Sequence, residues 1–313
     1  MQTQWDDLRL FLAVARAETL SGAGKLVRLD AATLGRRVAR LERDLNAVLF
    51  VKSPQGYALT DVGKRLMARA ETAEVAMRAA ADDVASPQTA RGVSSTALSG
   101  QIRIGAPDGC ANFLLPQVCA ALTAQHPDLD IQIVALPRVF NLSRREADLA
   151  IGVSAPTAGR LTVQRITDYK LHFAANVSYL ENAPEIKEVE DLKQHPIVGY
   201  IPDMIFDREL DYLADAGVTR VALASNSVCV QVNLLQQRGG VGVVHDFALH
   251  AAPQLQRILL DRFSITRSFF LIRHAADQEQ GRLGRFANLL AQGLRAEVQR
   301  LEADASAEEK NKL

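Results

Sequence analysis

The chain has 313 residues and a formal net charge of zero, from 36 basic and 36 acidic side chains. This length predicts two or three compact units, and the balanced charge excludes a diffusely basic surface while allowing a locally basic module. The N-terminus lacks the pattern of a secretory signal, and no stretch approaches the roughly 20 apolar residues of a membrane helix. The 3 cysteines form an odd, sparse set, so we expect reduced thiols in a cytoplasmic protein that has no membrane partner.

Three short helical patterns open the chain. Apolar residues recur at helical spacing from Leu8 to Ala15, which predicts the first helix. Ser21 is the predicted N-cap of a short second helix, and Asp30 is the predicted N-cap of a third helix that runs to Leu45. Only about three residues separate the second helix from the third, a spacing typical of a helix-turn-helix.

A hairpin and a long helix follow. Two short apolar segments, 49–51 and 57–59, flank a tip with Pro and Gly, which predicts a wing. Asp61 is the predicted N-cap of a helix to about residue 84, with a heptad-like stripe of Val62, Leu66, Ala70, Ala73, Met77, Ala80 and Val84. Such a stripe favours a dimer helix, and the alternative is packing against the next domain of the same chain. Residues 86–96 are rich in Ser, Thr, Pro and Gly and predict a linker.

The rest of the chain alternates strands and helices. Strands are predicted at 101–105, 130–136, 148–153, 170–174, 196–200, 220–224, 242–244 and 269–272. Helices are predicted at 114–124, 228–237 and 280–301, which favours a mainly parallel sheet covered by helices. The polar tail, residues 303–313, is predicted to be disordered.

An ordered set of short motifs resembles the LysR-type transcriptional regulators over nearly the whole chain. The N-terminal motifs are the runs 31–42 (AATLGRRVARLE), 49–50 (LF) and 56–63 (GYALTDVG). The C-terminal motifs are the runs 114–116 (LLP), 147–152 (ADLAIG), 225–227 (SNS) and 239–242 (GGVG). The sequence departs from the family where a Ser-Gln-Pro run usually opens the recognition helix, since Asp30-Ala31-Ala32 stands here.

The resemblance implies an α+β multi-domain fold. It predicts a winged helix-turn-helix over 1–60, a dimerisation linker helix over 61–86, a hinge over 87–97 and an effector-binding domain over 98–302. The effector domain would resemble periplasmic binding proteins, with one α/β subdomain from 98–168 and 268–302 and a second from 169–267. The resemblance also implies promoter DNA, a small-molecule effector, RNA polymerase and further copies of the chain, up to a homotetramer, as partners. It implies no cofactor and a place at the bacterial nucleoid.

The helix-turn-helix region is locally basic. Residues 25–65 hold nine Lys and Arg against four Asp and Glu, as the neutralisation of DNA phosphates requires. Small residues at the start of the recognition helix suit close approach to base edges, and its arginines would contact a guanine edge, a phosphate or only solvent. The candidate DNA contacts are Ser21, Arg28, Ala31, Ala32, Thr33, Arg36, Arg37, Arg40, Lys52 and Ser53.

The predicted effector site lies between the subdomains, at strand C-termini and helix N-termini. Its candidate residues are Pro107, Asp108, Gly109, Cys110 and Arg138 on one side, and Tyr200, Asn226, Ser227, Val228, His245 and Asp246 on the other. A helix N-terminus favours an anion, and the Ser227 hydroxyl is a natural donor to a carboxylate. Asp108 would repel an acid, so it either pairs with an amine or hydroxyl of the effector or only caps a helix.

Three of these residues allow a second interpretation. Arg138 is either a positive partner in the pocket or a solvent-exposed side chain. His245 is either a pH-sensing or ligand-binding group or a structural histidine. Cys110 is either a redox sensor at a helix N-terminus or a buried structural thiol.

Two other classes of protein compete with a regulator. An α/β enzyme is one, but G-x-S-x-G, H-E-x-x-H, Walker and G-x-G-x-x-G patterns are missing from the sequence. A solute-binding protein is the other, and it would need an export signal and would have no use for residues 1–90. The sequence therefore favours a non-enzymatic, effector-responsive DNA-binding regulator.

Overall fold

The computed structural model describes residues 4–53, 56–85, 97–135, 147–156, 161–275 and 281–310. The chain divides into two units, Met1–Thr96 (unit 1) and Ala97–Leu313 (unit 2). Within the described ranges, no helix has both the length and the apolar character needed to cross a membrane. The predicted hinge (87–97) lies outside these ranges except for its last residue. Arg138 also lies outside them.

Unit 1 begins with three helices: α1 (Trp5–Ala17), α2 (Leu20–Val27) and α3 (Ala31–Asp44). Asp30 caps α3, since its Oδ1 accepts a hydrogen bond of 2.8 Å from the backbone N–H of Thr33, which confirms the predicted cap. The predicted cap at Ser21 is wrong. Helix α2 starts earlier, and Thr19 Oγ1 instead accepts from the Gly22 amide at 3.2 Å. A Cβ at Gly24 would lie 2.5 Å from the Leu29 carbonyl oxygen, so the turn between α2 and α3 depends on glycine.

The predicted wing is a hairpin of β1 (Phe50–Ser53) and β2 (Gly56–Leu59). Its tip, residues 54–55, lies outside the described ranges. Gly56 has a φ of +137°, and a Cβ there would lie 2.3 Å from the carbonyl oxygen of Glu18. The next residue, Tyr57, donates its backbone N–H to that same oxygen at 2.7 Å. The hairpin is thus hydrogen-bonded to the C-terminus of α1, and the two backbones approach so closely at residue 56 that only glycine fits there.

Helix α4 (Asp61–Ala85) follows the hairpin over nearly the predicted length. Ala70 is buried in the core of unit 1, and Leu66 packs against that core. Arg16 on α1 donates to Glu74 on α4 at 2.7 Å. Met77 is 50% exposed. Leu66 and Ala70 of the apolar stripe therefore pack within their own unit, a use that the sequence analysis did not anticipate.

Unit 2 is built on a mixed sheet. Its described strands are β3 (Gly100–Ala106), β4 (Leu129–Ala135), β5 (Leu149–Gly152), β6 (Leu161–Asn176), β7 (Ile197–Gly199), β8 (Leu223–Ala224), β9 (Val241–His245), β10 (Leu255–Ile258) and β11 (Ile265–His274). They run in the order β4-β3-β5-β11-β6-β9-β7-β8, with β10 also paired to β6. Strand β3 is parallel to β4 and β5, and β7 is parallel to β8 and β9. Since β6 and β11 are antiparallel to all their neighbours, the expectation of a mainly parallel sheet fails in the middle.

The two parallel parts of the sheet form two lobes. Lobe 1 consists of β3, β4 and β5 with helices α5 (Asp108–Phe113) and α6 (Leu115–Gln125). Lobe 2 consists of β7, β8, β9 and β10 with helices α7 (Val177–Leu180) and α8 (Val228–Gln236). The paired strands β6 and β11 run through both lobes, because β11 pairs with β5 and the far end of β6 pairs with β9. The same two strands therefore connect the lobes, both as continuous chain and through their backbone hydrogen bonds.

The last helix, α9 (Arg282–Lys310), corrects the prediction of a disordered tail as far as residue 310. Its apolar side chains, Phe286, Leu290, Leu294, Val298 and Leu301, are buried along one face. The helix then continues along β6, where Glu302 Oε1 accepts from the Lys170 amide at 2.7 Å. Arg257 Nη2 donates to the carbonyl of Ala305 at 3.3 Å. Composition alone suggested disorder because the stabilising partners of this polar segment are distant in sequence.

These contacts predict that the end of α9 stabilises unit 2. Truncation after Leu301 removes both acceptors, each contributing about 0.5–1.5 kcal/mol, so the Tm of unit 2 should fall by several degrees. A chain that ends at Lys310 is the matched control and should melt like the full chain. Thermal denaturation of the three proteins, followed by circular dichroism, measures this. An unchanged Tm after truncation at Leu301 would restore the interpretation of a disordered tail.

Candidate functional site

An exposed surface on unit 1 holds most of the predicted DNA contacts. Helix α3 buries Leu34, Val38 and Leu41, so its opposite side faces solvent. Thr33 is half-buried, and its hydroxyl accepts a hydrogen bond of 3.1 Å from Nη2 of the exposed Arg36. The Lys52 ammonium on β1 lies 5.7 Å from the ring centroid of Tyr57. The remaining exposed candidates are Ser21, Arg28, Ala31, Ala32 and Ser53.

Arg37 and Arg40 are engaged inside unit 1. Asp7 on α1 is 1% exposed, and its carboxylate accepts from Arg37 Nε and, at 2.9 Å, from Arg40 Nε. Arg37 also donates to Asp6. These arginines therefore hold α3 against α1, a role that the sequence analysis missed, and their contact with DNA stays a prediction. The signal was present, since Asp7 lies within a helical turn of Leu10 and Phe11 on the buried face of α1.

Asp108 connects the two lobes of unit 2. It is the first residue of α5 in lobe 1, yet its Oδ2 accepts from Ser227 Oγ of lobe 2 at 2.9 Å. The same oxygen accepts from the backbone N–H of Cys229, in the first turn of α8, at 3.1 Å. Its Oδ1 accepts from Asn112 Nδ2 at 3.1 Å. Asp108 is therefore a cap for the N-terminus of α8, supplied by the opposite lobe.

The junction at which α5 faces α8 and the end of β9 is called the interlobe cleft below. Gly109 lies at this contact, where a Cβ on it would make ordinary van der Waals contacts with the His245 ring at 3.4 Å and with Val228 at 3.6 Å. Cys110 and Pro107 flank this contact on α5, and the half-buried Asn226 precedes α8. The structure thus brings Asp108 and Gly109 of lobe 1 together with Ser227, Val228 and His245 of lobe 2.

Aromatic side chains surround the cleft. Tyr212, which the sequence analysis missed, lies beside Tyr200, with 5.9 Å between the ring centroids, and its hydroxyl is 3.3 Å from His245 Nε2. Tyr169 on β6 stacks on Phe269 of β11 with the ring centroids 4.2 Å apart. Burial raises the pKa of the Tyr200 hydroxyl, with the nearby Tyr212 and Asp108 adding to the effect. Tyr169 and Tyr212 are thus buried around the cleft, and Tyr200 is half-buried.

A second hydrogen bond across the lobes was also missed. Ser154, which follows β5 of lobe 1, donates its hydroxyl to Asp207 Oδ2 of lobe 2 at 2.5 Å. Asp207 Oδ1 accepts from the Glu209 amide at 3.0 Å. In each bridge a serine of one lobe donates to an aspartate of the other. Nothing in the sequence around Ser154 signals this role, because its partner lies far along the chain.

His245 is buried and uncharged at neutral pH. It is 4% exposed, and its Nδ1 has no hydrogen-bond partner among the described residues. Loss of solvation lowers its pKa from 6.5 to about 4, and the adjacent Asp246 opposes that shift only partly. A histidine with this pKa does not titrate near neutral pH, which favours the structural interpretation over pH sensing under those conditions.

Two other predicted residues have different surroundings from those expected. Asp246 accepts from Arg257 Nη1 at 2.7 Å and lies 2.8 Å from His172 Nδ1. Its carboxylate is thus bound within lobe 2, and its contact with an effector stays a prediction. Cys110 is 1% exposed, and burial raises the pKa of its thiol. A buried thiol with a raised pKa forms little thiolate, which favours the structural role over the redox sensor.

Comparisons with known families match both units. The family described as bacterial regulatory helix-turn-helix protein, lysR family, matches residues 5–64. The family described as LysR substrate binding domain matches residues 95–295. These two matches cover most of the chain.

Curated relatives and solved structures are similar over long stretches. The HTH-type transcriptional regulator PtxR of Pseudomonas aeruginosa is 25% identical, over 77% of this chain and 76% of that protein. A full-length OxyR variant from Pseudomonas aeruginosa has a TM-score of 0.67 at 16% identity, with 94% of this chain and 95% of that one covered. Full-length LysG from Corynebacterium glutamicum with bound effector Arg has a TM-score of 0.60 at 15% identity, with 93% and 98% covered. The two structures show that the fold is shared.

The pKa of His245 predicts how stability depends on pH. Its folded-state pKa of about 4 lies below the unfolded value of 6.5, so the unfolded chain binds more protons between these pH values. The free energy of unfolding therefore does not depend on this group well above pH 6.5. It falls as the pH drops from 6.5 towards 4, by about 3 kcal/mol at most for this one group. His245→Gln should flatten the decline between these limits. Urea denaturation of both proteins across this range measures the difference, and parallel pH profiles would contradict the assignment.

Proposed function

The chain belongs to the LysR family of transcriptional regulators, and we propose that it binds promoter DNA through α3 and the hairpin of unit 1. The exposed first turn of α3, with Ala31, Ala32 and Arg36, carries this proposal. A recognition helix reads base edges with its N-terminal residues, and small side chains there allow the backbone to approach the major groove. Its family also favours a regulator over the enzyme and the solute-binding protein considered from sequence.

Arg36 is the proposed base reader. It projects from the exposed side of α3, and the hydroxyl of Thr33 holds one of its nitrogens at 3.1 Å. Its neighbours Arg37 and Arg40 are held by Asp7, which leaves Arg36 the best placed of the three to reach a base edge. A guanidinium pairs with the two acceptors of guanine in the major groove. Lys52 and Ser53 on the hairpin are the proposed phosphate contacts.

In unit 2 we propose the interlobe cleft as the position of the effector. The carboxyl ends of parallel strands meet there, which is where ligands bind in open α/β sheets. Tyr200, Tyr212 and His245 supply apolar ring surface with a few polar atoms, as small-molecule sites do. The LysG structure with bound effector Arg supports a small molecule as the ligand class of this domain. Binding would act by favouring one arrangement of the lobes over another.

The assembly is proposed to be a homodimer through α4, and a homotetramer through further contacts of unit 2. On the stripe of α4, Leu66 and Ala70 pack within unit 1, while Val62 is 39% and Met77 is 50% exposed. These exposed apolar side chains support a partner helix from a second copy. We further propose contact with RNA polymerase at the promoter and a place at the bacterial nucleoid in the cytoplasm.

Two substitutions test the roles of α3 and the hairpin. Arg36→Ala should reduce the preference for the matched operator by about 1–3 kcal/mol, because a base contact is lost. Lys52→Ala should weaken binding to all sequences alike and reduce the salt dependence by about one phosphate contact. Gel shifts on the intergenic DNA beside its own gene and on a scrambled duplex, at several salt concentrations, measure both effects.

The control for lost positive charge is Arg262→Ala, which removes an exposed arginine of unit 2 that pairs with Glu188. This variant should bind both duplexes like the unaltered protein. Equal losses on matched and scrambled DNA for Arg36→Ala would show that Arg36 contacts phosphate and is not a base reader. A folded protein that shifts neither duplex at low salt would contradict DNA binding itself.

A further inference from the structure

The N-terminus of α8 is an anion position that the chain itself occupies. Helix α8 presents the amide of Cys229 in its first turn and the hydroxyl of its N-cap, Ser227. Helix N-termini attract anions through such groups and through the helix dipole. Both donors are bound to Asp108 Oδ2, at 2.9 Å for the hydroxyl and 3.1 Å for the amide. A carboxylate from lobe 1 therefore lies where a carboxylate of a ligand would otherwise bind.

Asp108 leaves little room for a second carboxylate. Its other oxygen accepts from Asn112, so the side chain is held on both sides. The space beside the adjacent Gly109 would hold no more than a methyl group, since a Cβ there would already touch the His245 ring at 3.4 Å and Val228 at 3.6 Å. A ligand carboxylate at this position would have to displace Asp108 or share its donors with a like charge at contact distance. Both alternatives are unfavourable in a partly buried site.

Two basic side chains near the cleft, those of His245 and Arg267, are neutral or already paired. His245 is uncharged at neutral pH, with a pKa of about 4. Arg267 on β11 lies close enough to act on the charge of Tyr169 and Tyr212, and it is paired with Glu209 and Asp215. Asp207 adds a second carboxylate, bound to Ser154. The described cleft wall is therefore aromatic and acidic.

We infer that Asp108 is a specificity-determining residue, which excludes carboxylate groups from the N-terminus of α8 and restricts the effector there to neutral or cationic groups. This inference rests on the proposed effector function of the interlobe cleft. It extends the expectation from sequence that Asp108 would repel an acid, because the structure shows which donors of lobe 2 the aspartate occupies. The aspartate replaces a ligand carboxylate and connects the lobes at the same time.

Removal of the side chain should create a carboxylate site. In full-length Asp108→Ala, acetate should bind the vacated Ser227 and Cys229 donors and raise the Tm, with a saturable dependence on its concentration. The unaltered protein should show no such rise when sodium acetate replaces sodium chloride at constant ionic strength. Differential scanning fluorimetry measures both, and the expected shift is several degrees in the variant. DNA binding is a separate measurement, so a failure of the regulator function is distinguishable from a failure of this inference.

Two further variants locate the site of rescue. In Asp108→Asn the amide still fills the position, so acetate should have little effect. In Asp108→Ala/Ser227→Ala one of the two donors is missing, so the acetate response should fall markedly relative to Asp108→Ala. If Asp108→Ala folds only when acetate is present, that result also supports binding of acetate at the vacated donors.

Three outcomes would overturn the inference. The first is an acetate response of the unaltered protein equal to that of Asp108→Ala. The second is a folded Asp108→Ala that does not respond to acetate. The third is an Asp108→Ala that does not fold with or without acetate, together with an unresponsive Asp108→Ser, whose shorter side chain also vacates the position.

Discussion

The contact between Asp108 and the start of α8 is the constraint on which the arrangement of unit 2 depends. The strands β6 and β11 connect the lobes, and hydrogen bonds between side chains cross the edge of the cleft. Asp108 receives two hydrogen bonds from lobe 2, and Asp207 receives one from Ser154 of lobe 1. Any effector that enters the interlobe cleft must therefore either fit beside these bridges or replace one of them.

A second buried carboxylate plays a comparable part in unit 1. Asp7 holds the guanidinium groups of Arg37 and Arg40 and so fixes α3 on α1. An aspartate that is 1% exposed needs such partners, because an unpaired charge is costly to bury. The arginines of α3 therefore have different roles. Two arginines orient the helix, while Arg36 and the small residues of the first turn remain exposed for DNA.

Local signals in the sequence predicted local features well. Asp30 was recognised as a cap because its role involves only the next three residues, and the extent of α4 followed from its periodicity. The cap of α2 was misplaced by two residues, and the other features that the sequence missed depend on partners distant along the chain. Asp108 contacts Ser227, and Glu302 contacts Lys170, so neither role leaves a local pattern. The cleft residues were found through the family resemblance, whereas the way in which Asp108 fills the cleft required coordinates.

The most direct test of the central contact is the hydrogen exchange of one amide, that of Cys229, in the full-length protein. A first-turn amide of a helix has no partner within the helix and exchanges quickly unless another group accepts its proton. The structure predicts that Cys229 is protected by Asp108 and that Asp108→Ala abolishes this protection. Exchange measured by mass spectrometry with single-residue fragmentation resolves this amide. Exchange of Cys229 in the unaltered protein at the rate of an unprotected amide would contradict the account.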